Sequence, residues 1–101
     1  MDEIDPGLKR LPVYLVIDTS SAMAGEAMEL VRKAVRGFLD DLLTDPMALE
    51  TVWLSVLTFD REAKQLVPLT ALDEFVIPDV HVSSSGESSL GAAFCLLSEC
   101  I

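Results

Sequence analysis

The chain has one histidine, His81, and only two cysteines, Cys95 and Cys100, among its 101 residues. Neither a Cys-x-x-Cys pair nor a second histidine stands at ligand spacing, so a zinc site has no donor set. The two cysteines fall in a segment with helical patterning, where their spacing points them to different faces and argues against a mutual disulfide. Long apolar runs are missing as well: none reaches the roughly 18 to 20 residues that a membrane-spanning helix requires. The opening stretch Met1-Asp2-Glu3-Ile4-Asp5 is acidic where a secretory signal would be basic, and a cytoplasmic protein is expected. Basic residues are scarce, 7 against 17 acidic ones, for a formal net charge of −10. A surface of that sign repels phosphate backbones and anionic lipid, which excludes nucleic acid and membrane as expected partners. It suits a divalent cation or a basic protein patch, and simple solubility accounts for it equally well. Glycine and proline are sparse and unclustered, so no linker or low-complexity stretch divides the chain, and its length allows one small core.

What is present reads as alternating strand and helix. Residues 1–10 show no periodicity and are expected to form a loosely held leader. Residues 13–17 are a continuous β-branched and apolar run, the pattern of a strand covered on both faces, and it stops at Asp18-Thr19-Ser20-Ser21. From residue 26 to 43 apolar positions recur at three and four, with Ala27, Val31, Ala34, Val35, Phe38, Leu39 and Leu42 on one face of an amphipathic helix. On its polar face Glu29 is spaced to pair with Lys33, and Arg36 with Asp40. Asp45-Pro46 reads as a stop. Residues 51–59 form a second strand, Asp60-Arg61-Glu62 a solvated turn, and residues 63–69 a third strand whose Pro68 places it at a sheet edge. Residues 72–82 read as a crossing segment with little regular structure. A serine-rich loop follows, and then a helix from 88 to about 100 with Leu90, Ala93, Phe94 and Leu97 on one stripe. Phe38 and Trp53 are expected in the core between the long helix and the sheet.

Two polar clusters occupy the positions where open α/β sheets bind ligands: the loop after the first strand and the start of the last helix. Asp18, Ser20 and Ser88 offer one carboxylate and two hydroxyls, hard oxygen donors of the kind Mg²⁺ takes while retaining several waters. The same residues have plainer uses. Asp18 and Ser20 suit an Asx turn or a cap, and Ser88 an ordinary helix N-cap. No candidate set for catalysis stands out. A phosphatase nucleophile at Asp18 would want a second aspartate two residues on, where Ser20 stands, and neither a P-loop nor a Gly-x-Ser-x-Gly elbow is present.

A hydrophobic strand ending in Asp18-Thr19-Ser20, an amphipathic helix, a hairpin, and then Gly86-Glu87-Ser88-Ser89-Leu90-Gly91-Ala92-Ala93 resembles the von Willebrand factor A (vWA) family and its metal-ion-dependent adhesion site (MIDAS). More narrowly, residues 11–20, 48–55 and 59–70 are similar to the bacterial tellurium-resistance-associated A-domain proteins. The resemblance covers residues 11–101 and implies an α/β fold, half of a doubly wound, Rossmann-like vWA sheet in the order β-α-β-β-α. It implies a non-enzymatic protein-binding module of a tellurium-resistance or stress-response system. In such a module Mg²⁺ or Mn²⁺, held by Asp18, Ser20 and Ser88, accepts an acidic side chain of a partner. The sequence departs from the family pattern at Ala22, where a serine hydroxyl is expected, and the family's later aspartate has no counterpart before Ile101. The first strand, central in the family, is therefore expected to have an open edge prone to self-association. The alternative is a metal-independent structural or interaction module.

Overall fold

The computed structural model describes residues 10–84 and 86–101, so the expected leader lies, except for Arg10, outside the described residues. The chain is an α/β fold with a three-stranded mixed sheet. Its elements run β1 (Leu11–Asp18), α1 (Glu26–Leu43), α2 (Pro46–Thr51), β2 (Val52–Phe59), β3 (Ala63–Ala71) and α3 (Leu90–Cys100), with single 3₁₀ turns at Ser21–Met23 and Leu72–Glu74. The sheet order is β1-β2-β3, β1 parallel to β2 and β2 antiparallel to β3. The α1 crossover between parallel neighbours and the tight Asp60-Arg61-Glu62 turn between antiparallel ones follow from that order. β3 is an edge strand, the place in a sheet where a proline such as Pro68 is tolerated.

The core divides along β2. Val52 and Leu54 meet Leu39, Ala48 and Leu72, while Val56 meets Ile17 and Met28. Successive side chains of a strand point to opposite faces, so the even-numbered positions of β2 face α1 and the odd-numbered ones face away. Trp53 therefore does not lie between the long helix and the sheet as expected. It is half-buried on the other face, with the Arg10 guanidinium 4.4 Å from its ring centroid. On that face α3 is anchored to β1 by the Tyr14 hydroxyl, which donates to the Cys100 carbonyl at 3.2 Å.

α1 begins and ends where the periodicity puts it, but its inward line differs by one position. Met28 and Leu39 are buried and Val31, Val35 and Leu42 half-buried, whereas Phe38 is 38% exposed. At about 100° per residue Phe38 stands roughly 60° off the axis through Val35, on the flank of the stripe. Gly25 precedes the helix at φ 76°, a left-handed conformation that glycine adopts without strain. Glu29 pairs with Arg32 at 2.8 Å rather than with Lys33, an exposed contact of small energetic weight. The other arm of Arg32 donates to the Val80 carbonyl at 2.7 Å and so ties α1 to the crossing segment.

Asp45-Pro46 is not a simple stop. Asp45 accepts from the Met47 amide at 3.0 Å and Pro46 opens α2, so the pair starts a short helix. In α3 the buried position is Ala93, with Leu97 half-buried. Leu90 and Phe94, expected on the same inward stripe, are 53% and 59% exposed.

Candidate functional site

The parallel register pairs Asp18 with Phe59, so the loops that leave β1 and β2 emerge side by side. Backbone hydrogen bonds then lock them together. The Thr19 amide donates to the Phe59 carbonyl at 2.7 Å, and the Thr19 hydroxyl reaches the same oxygen at 3.1 Å. The serine-rich loop closes over both: the Ser83 amide donates to the Thr19 carbonyl and the Ser89 amide to the Asp60 carbonyl, each at 2.7 Å. Three segments distant in sequence thus form one rim, as expected outside the strand ends of an α/β sheet.

Asp18 sits at the centre of the rim. Its Oδ1 accepts from the Ser20 amide at 2.8 Å, an Asx-type turn, and its Oδ2 accepts from the Ser88 hydroxyl at 2.9 Å across 70 residues of chain. Ser20 is buried at 1% exposure and opens the 3₁₀ turn that follows. Burial pushes the Asp18 carboxyl pKa up. Hydrogen bonds from the Ser20 amide, the Ser20 side chain and Ser88 outweigh that and the nearby negative charge of Asp60, leaving the carboxyl below its ordinary value. All three sequence-derived site residues, Asp18, Ser20 and Ser88, are brought together. Ser88 is not the cap of α3; that role falls to Ser89, whose Oγ accepts from the Ala92 amide at 3.1 Å.

Ala22 is exposed in the 3₁₀ turn and contributes only a methyl group. Asp60, read from sequence as a member of a solvated turn, lies close enough to Asp18 to act on its ionisation. Its own carboxyl is held below the ordinary range by the Glu62 amide, 2.9 Å away, and by the Ser83 side chain. The signal for Asp60 was the strand register, because a residue one past Phe59 must flank Asp18 once the two strands are paired.

The donor set is one carboxylate with two hydroxyls, and a second carboxylate near by. Among the described residues no group of three or more His, Cys, Asp or Glu side chains is placed to hold a metal ion. Zinc, held in proteins chiefly by histidine nitrogen and cysteine sulfur, finds neither donor in this set. Mg²⁺ or Mn²⁺ fits the donors in kind, since all are hard oxygens, with water making up the number.

No family model and no curated protein sequence matches the chain. Among solved structures, the crystal structure of an uncharacterized membrane-spanning protein from Vibrio fischeri is similar, with TM-score 0.65 and 21% identity over 91% of this chain and 48% of that one. At this identity the likeness shows the fold alone, and the chain spans about half the length of that neighbour. No helix among the described residues is long and apolar enough to cross a membrane.

Proposed function

We propose that the chain is a non-enzymatic protein-binding module, the first half of a vWA-type sheet. Its Asp18 rim holds Mg²⁺ or Mn²⁺ weakly, as a degenerate MIDAS. The observation that carries the reading is the meeting of Asp18 and Ser88 at 2.9 Å with Ser20 at the same carboxylate. A simple Asx turn requires only residues 18 to 20; it gives no reason for a hydroxyl from the third loop to converge on the other carboxylate oxygen. Asp18, Ser20 and Ser88 would hold the ion, which supplies an open coordination position for an acidic group. This chain's own residues keep the carboxylate ionised and the three loops in register. The partner is a protein, and copies of the chain also associate along β1, which has one strand neighbour among the described residues. The setting that the sequence resemblance implies is cytoplasmic tellurium resistance or stress response.

The degenerate position favours a second reading, a metal-independent interaction module in which the rim only braces the loops. Calorimetric titration separates the two. Mg²⁺ is expected to bind the wild type in the high micromolar range or more weakly, and Asp18→Ala to abolish the heat. Ala22→Ser is expected to tighten binding several-fold, since one regained oxygen ligand is worth on the order of 1 kcal/mol. Identical titrations for wild type and Asp18→Ala would favour the metal-independent module.

A further inference from the structure

A cavity of about 260 Å³ lies beside the rim, on the face of β2 and β3 that the crossing segment covers. The Arg32 bond to the Val80 carbonyl fixes its outer wall. Thr58 stands in its lining, 2% exposed, and its hydroxyl has no hydrogen-bond partner among the described residues. Buried side-chain oxygens in native folds are nearly always satisfied, so an orphan at the wall of a cavity points to something the cavity receives. A χ1 step of about 120° carries the threonine hydroxyl to the position of its methyl, the methyl taking that of the β-hydrogen, so the oxygen needs no backbone movement to face an occupant.

The charge around the cavity sets the class of occupant. Asp60, Glu62 and Asp79 contribute three carboxylates to the lining against Lys64 and His81, and Arg32 at the outer wall is already paired with Glu29. An anion is disfavoured there. A guanidinium wants two parallel acceptors on one carboxylate, and at Asp60, nearest the rim, Oδ1 already accepts from the Glu62 amide, which leaves a fork only at Asp79 or Glu62. An ammonium carries three donors in a tripod and suits a single buried hydroxyl flanked by separate carboxylates. Leu66 and Val80 in the lining offer apolar wall for a methylene stem.

We propose that this cavity binds a primary ammonium group on a short aliphatic stem, with Thr58 as the buried acceptor and Asp60 and Asp79 as its counter-charges. The ammonium belongs either to a free small amine or to a lysine side chain of a protein. The site shares Asp60 with the rim but does not require a cation at Asp18.

The test uses the full chain with a chelator present, so that failure of cation binding at Asp18 leaves the result intact. n-Butylammonium and Nα-acetyl-lysine amide are titrated separately while nuclear magnetic resonance follows the methyl groups of Thr58, Leu66 and Val80. Saturable shifts centred on these residues are expected. Thr58→Val, which keeps the shape, should weaken binding about tenfold while leaving the melting temperature unchanged or raised. Asp79→Asn should weaken it too, and Lys64→Gln, which removes the opposing charge, should tighten it several-fold. Tighter binding of the lysine derivative assigns the ammonium to a protein, and tighter binding of butylammonium assigns it to a free amine. Absence of saturable shifts, equal affinity in Thr58→Val, or weaker binding in Lys64→Gln would overturn the proposal and leave Thr58 satisfied by water alone.

Discussion

Asp18 is a carboxylate whose hydrogen bonds all favour its charged form, and that preference is measurable without any ligand. Burial pushes its pKa up, but the Ser20 and Ser88 bonds bring the folded value below the ordinary 3.8. The stability it contributes is therefore fully present above about pH 4 and is lost as the pH falls through the depressed folded value. In metal-free buffer, the advantage of wild type over Asp18→Asn in urea denaturation is expected to shrink progressively below that pH. A difference that stays constant down to pH 2 would mean that the bonds do not distinguish the charged carboxyl from the neutral amide. Asp60 shows why one member of the rim escaped detection in the sequence. Nothing local separates a turn aspartate from a site aspartate; only the pairing of Asp18 with Phe59 places Asp60 beside it.

The elements themselves were mostly legible, and their faces less so. β1, α1, the hairpin and α3 stand where alternation and helical period put them, because those signals come from runs of many residues. α2 was missed because aspartate followed by proline ends one helix and begins the next with the same two residues. The phase of each helix was the weaker inference, since periodicity marks an apolar arc and the neighbours choose its centre. In α1 the centre runs through Met28, Val31, Val35 and Leu39, leaving Phe38 on the flank. Leu39→Ala should therefore cost about 2 to 5 kcal/mol, the range for a truncated core leucine. Phe38→Ala should cost well under the roughly 3 to 5 kcal/mol of a buried phenylalanine. Thermal denaturation of both variants checks the order, and an equal or larger loss for Phe38→Ala would place the helix in the other phase.

At the scale of the molecule, β1 has a strand on one side and, among the described residues, none on the other. Its residues carry no charge before Asp18, and Val16 on it is 36% exposed. Such an edge pairs readily with another chain. Light scattering at low micromolar concentration is expected to show a species larger than 11.0 kDa, and Val16→Lys, a charge set on the edge strand, to shift it toward the monomer. A monodisperse monomer for the wild type would remove association along β1 from the functional reading.

The contact between Arg10 and Trp53 has an optical consequence. Trp53 is the single tryptophan of the chain, and the guanidinium rests 4.4 Å from the centre of its ring. All tryptophan emission from the folded protein therefore originates beneath the residue at which the N-terminal segment joins β1. Its intensity and wavelength report on whether that junction is seated against the sheet, a natural probe for any partner that grips the chain at its beginning.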